Sequence, residues 1–547
     1  MKRIAAMLLA LALLALCLPA MAEGELSEYS KTIDLATEYP VFWEKDVALP
    51  LSEEPITVSV MFKRNASHPE DFSDMWWVKE TAAKTNITFT FDLVENEAWK
   101  DRKALAFISD TYPEVFFADI TADDELLYGY EGKLIDLLPL IKEYAPNIMK
   151  LYETYPDVVK GTMHENGAIY VLPMISYAPR SAVPHCTTIN KEWLDKVGMD
   201  IPTNTDELYA VLKAFKEQDP NGNGEADELP LSMLSEDEDF ILYAFGFTDL
   251  EHDIIDGQYV YVPAQDNYRE YLTYMHKLYA EGLIDNEYFS QDDTKLQSKL
   301  AGSLVGMPQQ SVTALVPDYE KYVAVPALTS PVCQEPVWPE TSINYQRGVA
   351  CLAITDKCAH PEEVIKFANW LVTTEASLAV RLGPSQQESA DGYGYTYEST
   401  DGKHAYGATR TFPDTFASYY KYRMSQTVMF APAYINPLVD DVVVGSDDKN
   451  NWQTKLWNDS GVYGVRRTVY DLQNKHTDEE LTDLAYYLDL SNYAESMRAK
   501  FIRGDVEIND ATWADYLKNL EAYGMNDMVE LRQTGYERYL ALPSTID

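Results

Sequence analysis

An α/β fold of alternating strands and helices is what this sequence predicts, and three observations carry the expectation. PITVSVMF (residues 55–62) places Ile56, Val58, Val60 and Phe62 on one face, and TNITFTFDLV (85–94) does the same with Ile87, Phe89, Phe91 and Leu93. EVFFADI (114–120) reads as a buried strand that ends in polar residues. Helical spacing lies between and after these runs, which argues for packed layers of sheet and helix.

Taken from the N-terminus, Lys2 and Arg3 precede an apolar run from Ile4 to Leu18 and the small-residue site Ala20-Met21-Ala22. This predicts a signal peptide over 1–22, because the run is shorter than the roughly 20 residues of a spanning helix. Leu16 stands before Cys17 where a lipoprotein signal needs a small residue, which favours cleavage after Ala22 over a lipid anchor on Cys17. Residues 23–54 are acidic, contain Pro40 and Pro50, and read as a leader arm. Helices are predicted near Asp74 and Trp99, and in TDELYAVLKAFKEQ (205–218) Leu208, Val211, Leu212 and Phe215 fall at helical spacing. Trp193 and Trp370 sit on apolar helix faces and are expected in the core. The C-terminal third is mostly helical and rich in tyrosine, with a polar loop at 384–403.

The chain left after residue 22 has length for two to four domains. Its formal net charge of −44 excludes nucleic acid and anionic membrane surfaces as partners, since both need a basic face. The same balance disfavours a polyanionic glycan unless Arg180, Arg347, Arg466 and Arg467 gather into a basic pocket. Cys186, Cys333, Cys351 and Cys358 allow three pairings if all are oxidised. Cys351 and Cys358, in CLAITDKC, are the pair that a chain reversal brings toward disulfide distance. Buried thiols are the alternative.

DPNGNGEADELP (219–230) carries the clearest metal signal. Asp219, Asn221 and Asn223 place oxygens at alternate positions, Gly224 permits positive φ, Glu225 offers its carbonyl, and Asp227 and Glu228 follow. This spacing predicts a structural calcium site. The bidentate glutamate of an EF-hand is absent, since Pro230 occupies the twelfth position. A solvated Asn/Gly turn is the alternative.

Ligands of open α/β sheets lie beyond the carboxyl ends of the strands, so the residues after each strand are the binding candidates. Trp76 and Trp77 follow the first strand, and Asp119, Thr121 and Asp123 follow EVFFADI. Tyr177 and Arg180 follow YVLPMIS, while Gln309 and Gln310 follow SLVGM. Trp338, Tyr345, Trp452 and Trp457 are further aromatic candidates. Flat rings cover the apolar faces of sugars, while amides, carboxylates and guanidiniums satisfy hydroxyl groups. No HExxH, GxSxG, Walker loop or GxGxxG is present, and the eight histidines show no ligand spacing. A secreted glycoside hydrolase or other carbohydrate-active protein remains the alternative, because 88 acidic residues guarantee some carboxylate pair.

Four segments in order, INKEWLDKVGMDIPTNTDELYAVLKAFKEQDPNGNGEADELPL, MHKLYAEGLIDNEYFSQDD, HPEEVIKFANWLV and MRAKFIRGDVEINDATWADYLKNLEAYGMNDMVELRQTGYERY, resemble extracellular solute-binding proteins of carbohydrate ABC transporters. The likeness runs from about residue 55 to 541 and is to the large branch that often carries this calcium loop. It implies a two-lobed periplasmic-binding-protein fold with crossing hinge segments. Lobe 1 would comprise 55–180 and 345–435; lobe 2 would comprise 181–344, with the calcium loop at 219–228, and most of the helical 436–547. It further implies a monomeric, non-enzymatic protein, exported to the cell surface, medium or periplasm. Such a protein holds an oligosaccharide or other small solute between its lobes and delivers it to a permease.

Overall fold

Alternating apolar residues assemble the central sheet of the computed structural model, which describes residues 44–64, 67–176, 187–234, 240–308, 319–341, 345–399, 405–416, 418–429, 431–436, 466–469 and 475–546, and positions 402, 438, 439, 442 and 456. Strands β1 (Ile56–Arg64), β2 (Ile87–Glu95), β3 (Val115–Phe117), β4 (Leu172–Ser176), β5 (Tyr345–Ile354) and β6 (Tyr434–Ile435) lie in the order β6-β4-β5-β3-β1-β2. β1 pairs in parallel with β2 and β3, β5 is antiparallel to β3 and β4, and β6 is parallel to β4. All strands but β5 therefore end on one edge of the sheet.

Both faces of this sheet are covered. Val58, Val60 and Phe62 share one face with Ile87, Phe89, Val115, Phe117, Leu352 and Ile354, beneath Trp77 and Phe367. Met61, Phe116, Cys351 and Ala353 fill the other, against Trp99, Phe107, Tyr112 and Tyr128. Each such side chain stabilises the fold by about 1.5–3 kcal/mol when buried. A slip of one residue would exchange the two sets, so the apolar pattern also fixes the register.

A second large core forms around the helix Thr205–Glu217, whose Leu208, Val211, Leu212 and Phe215 are buried as their spacing predicts. Asn204 caps that helix, accepting from the Glu207 amide at 2.9 Å. In the strand Val305–Pro308, Gly306 is required by close approach: a Cβ there would lie 2.6 Å from the Phe215 ring and 2.8 Å from Trp193. Trp193 belongs to this core and Trp370 to the first, as expected.

The helices Leu488–Arg503 and Asp510–Ala522 add Phe501, Trp513, Tyr516 and Leu520 to the second core. The last helix, Met525–Ala541, starts there with Met528 and ends against the first core, where Ile546 is buried. Polar contacts fasten that crossing. Lys160 donates to the Leu540 carbonyl at 3.1 Å, and the buried Lys475 ammonium donates to the carbonyls of Gly161 (3.2 Å) and Met163 (2.9 Å). Arg538 binds Glu480 through both guanidinium nitrogens, at 2.7 and 3.0 Å.

Cys333, Cys351 and Cys358 are free thiols, which corrects the suggested Cys351–Cys358 bridge. Cys351 points into the layer under Trp99, whereas Cys358 packs against the core on the opposite face of the sheet. Cys186 lies outside the described residues. Among the described residues no helix is long and apolar enough to cross a membrane.

The Arg538 fork holds the Glu480 carboxyl at about 2, below its ordinary 4.5. A depressed carboxylate contributes stability above its unfolded pKa and loses it as pH falls through the folded value. Acid titration of thermal stability should therefore show a decline between about pH 4.5 and pH 2 that Glu480→Gln reduces. An unchanged profile in that variant would remove the pair from the account.

Candidate functional site

Charged side chains collect where the strands end. Lys63 and Arg64 close β1, Glu95 closes β2, and Asp119 follows β3. Lys63 donates to the Asp119 carboxylate at 2.7 Å, with both side chains about a quarter exposed, at 27% and 22%. Arg64 donates to the His68 carbonyl at 3.0 Å and is ion-paired with Glu95. Burial lowers His68 to about 4, so a neutral imidazole lies against the Val428 carbonyl, 3.2 Å away.

Asp119 is held in an unusual backbone conformation. Ala118 and Asp119 have φ of 84° and 53°, consecutive left-handed positions that side chains other than glycine seldom adopt. The segment is anchored from behind. Trp99 Nε1 donates to the Asp119 carbonyl at 3.1 Å, and the buried Lys103 ammonium donates to the same oxygen at 2.7 Å. Lys103 is also paired with Asp124, whose carboxylate forms a capping box with Thr121. Strain of order 1–3 kcal/mol per residue persists only where neighbours over-determine it, and functional sites are where such strain gathers.

Of the residues singled out in the sequence, Asp119 and Thr121 have their side-chain geometry described at this edge. Trp76 is half-buried on the helix Trp76–Thr85, packed against the first core. Trp77 is 1% exposed with its ring edge toward Phe367, and Trp338 is 2% exposed against Tyr243. Both rings are core packing, a correction to the binding role expected of them. Consecutive positions on a helix face different ways, and the proximity of Trp77 to a strand end concealed its inward phase. Tyr345 opens β5 opposite Ile175, on the edge where β4 ends. Tyr177, Arg180, Gln309, Gln310, Trp452 and Trp457 lie outside the described residues, directly after β4 and the strand Val305–Pro308 in the first four cases. Arg467 is tied to Asp253 and the Gly246 carbonyl, a structural role. Lys63 was missed, although the rule that selected Asp119, a polar residue at a strand's carboxyl end, applies equally to it.

The 219–228 loop is tightly wound. Asp219 accepts from the amides of Gly222 (2.9 Å) and Gly224 (3.0 Å), with Gly224 at φ 80°. Asn221 and Asn223 turn their amide nitrogens to Asp227, at 2.8 and 3.0 Å. Glu228 is 9% exposed, and its Oε1 has no hydrogen-bond partner. Burial raises its pKa, with Asp219 and Asp227 adding to the rise. Among the described residues no three His, Cys, Asp or Glu side chains converge as a metal cluster.

The chain matches the family of bacterial extracellular solute-binding proteins over residues 66–377, more than half its length. It belongs to that family. Members of the family bind solutes and are not enzymes, so this solute-binding protein works by binding. It is 26% identical over 523 residues to the fructooligosaccharide ABC transporter substrate-binding protein FusA of Streptococcus pneumoniae serotype 4, covering 92% of this chain and 94% of the relative. A solved structure of FusA, an EF-hand mutant in complex with fructo-nystose, aligns with a TM-score of 0.69 at 24% identity, over 89% of this chain and 100% of that one. An extracellular solute-binding protein from Bifidobacterium longum subsp. infantis aligns at 0.74 with 23% identity, over 89% and 98% of the two chains. The likeness to these structures establishes an α/β solute-binding-protein fold.

Trp77→Ala should lower unfolding free energy by about 3–5 kcal/mol, the range for deleting a buried aromatic ring. Trp76→Ala should cost far less. Denaturant unfolding of the two variants checks this, and equal small losses would contradict the burial of Trp77.

Proposed function

We propose that this solute-binding protein captures an oligosaccharide between its two main cores and delivers it to an ABC transporter permease, acting as an exported monomer. The observation that carries this reading is the full-length likeness to a fructooligosaccharide substrate-binding protein. The charged edge supports it: Lys63 and Asp119 hold each other in fixed geometry, ready to exchange their mutual contact for sugar hydroxyls. Trp76, Tyr177, Arg180, Gln309, Gln310, Tyr345 and Trp452 are the other proposed contacts. The first lobe is assigned to 55–180 and 345–435 and the second to 181–344 and most of 436–547. In support, the first core draws on residues up to Ile175 and again from Leu352, and the second on Ile189 to Trp338 and Leu490 to Met528. Leu438, Val439, Val442 and Ile546 depart from these bounds, since they pack on the first core.

A sugar touching both lobes stabilises the closed form by its differential affinity, and the closed outline is what the permease reads. Calorimetry with kestose and nystose should show saturable binding, and chromatography should recover the sugar intact. Asp119→Ala should weaken binding by roughly 1–3 kcal/mol, the loss for an unpaired buried polar group. Release of reducing ends at enzymatic rates, or no binding across a broad neutral panel, would overturn the reading.

Calcium is proposed for the 219–228 loop, held by Asp219, Asn221, Asn223, Asp227, Glu228 and the Glu225 carbonyl. The fit is supported by Glu228, whose buried oxygen lacks a partner beside two further carboxylates. Turning the asparagine amides about their terminal bonds presents oxygens where nitrogens now face Asp227, an assignment that heavy-atom positions leave open. A cation there would offset the charges that Asp219 and Asp227 set against Glu228. Chelation should lower the melting temperature while leaving sugar affinity nearly unchanged, because an ion bound only to the folded state stabilises it by mass action. Identical melting with and without chelator would refute the site.

A further inference from the structure

The second core has a sheet edge of its own. The strand Leu229–Ser232 runs parallel to Val305–Pro308 with Ser232 opposite Pro308, and Ile284 bridges to Leu231 in parallel as well. The three segments therefore end together at Ser232, Asp285 and Pro308. The carboxyl ends of such strands are where an α/β lobe meets its ligand.

A closed polar network occupies that edge, with Ser232, Asp285 and Gln291 all buried. The Ser232 hydroxyl donates to Asp285 Oδ2 at 2.7 Å, and the Lys299 ammonium donates to the same oxygen at 2.6 Å. Gln291 donates to the Ser232 hydroxyl (3.2 Å) and to the Met233 carbonyl (2.7 Å), while its own oxygen accepts from Lys299 at 2.8 Å. Lys299 reaches in from the helix Asp293–Ala301, and its third partner is the Glu287 carboxylate, 2.7 Å away. The Glu287 amide in turn donates to Asp285 Oδ1 at 3.0 Å. Glu287 is the member that faces water: its side chain is 48% exposed, against 16% for Lys299. The Lys299 hydrogen bond, followed by the charges of Lys299 and Lys295, holds the Glu287 carboxyl below its ordinary value, so at neutral pH it is an anion that only accepts. An exposed ion pair contributes little to stability, and a buried one is often replaced by apolar packing without loss. Stability therefore does not account for a buried network built behind one exposed carboxylate, whereas orientation of that carboxylate does.

We propose that Glu287 is a further solute contact, the second lobe's counterpart of Asp119, and that Asp285 is the positioning residue that fixes it through Lys299 and the Glu287 amide. Each edge then presents one lysine–carboxylate pair, Lys63 with Asp119 and Lys299 with Glu287, both at 2.7 Å. The two oxygens of a carboxylate accept from neighbouring hydroxyl groups of a sugar ring, and a carboxylate already held in place loses little freedom in doing so. The inference rests on the proposed capture of an oligosaccharide and adds which residue of the second lobe reads its hydroxyl groups.

Calorimetry with kestose and nystose, run well below the melting temperature of each variant, tests this in a double-mutant cycle. Glu287→Gln, which keeps the shape and removes the charge, should weaken binding by roughly tenfold while melting close to the wild-type temperature. Asp285→Asn should also weaken binding, yet add no further loss in the Glu287→Gln background. A merely structural Asp285 would subtract the same affinity from both backgrounds. Because Asp285→Asn alters a buried charge, its melting is followed alongside, and Glu287→Gln decides the contact by itself. Unchanged affinity in Glu287→Gln would overturn the inference while leaving the sugar reading intact. Equal losses from Asp285→Asn in both backgrounds would remove the positioning role. A wild type that binds neither sugar would overturn the sugar reading and this inference with it.

Discussion

A sheet with apolar side chains on both faces has only its edges left for chemistry. That constraint organises the first core. Val58, Val60 and Phe62 alternate with Met61 into two separate apolar layers, and Lys63, Arg64, Glu95 and Asp119 stand at the strand ends. Since five of the six strands run the same way, these residues arrive together on one edge. The register that buries the core thus also aligns the site.

Precision at that edge comes from a second layer of contacts. Trp99 and Lys103 fix the Asp119 carbonyl, and the Thr121–Asp124 capping box fixes Lys103 in turn. A carboxylate held this way loses little conformational freedom on binding, which is the advantage of pre-organisation. The crossing C-terminal helix has a complementary role. By accepting from Lys160 at Leu540 and holding Lys475 through Arg538, it joins the cores near one place.

Much of the fold was legible in the sequence because periodicity reports burial directly. The strand faces of 56–62 and 87–93 and the helix face Leu208, Val211, Leu212 and Phe215 follow from spacing alone. Site residues were less legible. Trp77 and Trp338 were chosen for ring chemistry after strands, yet helix phase and strand face turn both inward. The buried unpaired oxygen of Glu228 is likewise invisible in the spacing that marked its loop. Pattern reveals what is buried, whereas the company a buried charge keeps is set by tertiary structure.

The central claim is that a solute held between two separately packed cores draws them together. Small-angle X-ray scattering of the mature protein, with and without a saturating oligosaccharide established by calorimetry, tests it most directly. Closure about the crossing segments leaves each core intact, so the radius of gyration should fall on binding and recover when the sugar is removed. An unchanged scattering curve at saturation would contradict the account, because it would place the solute on one core alone.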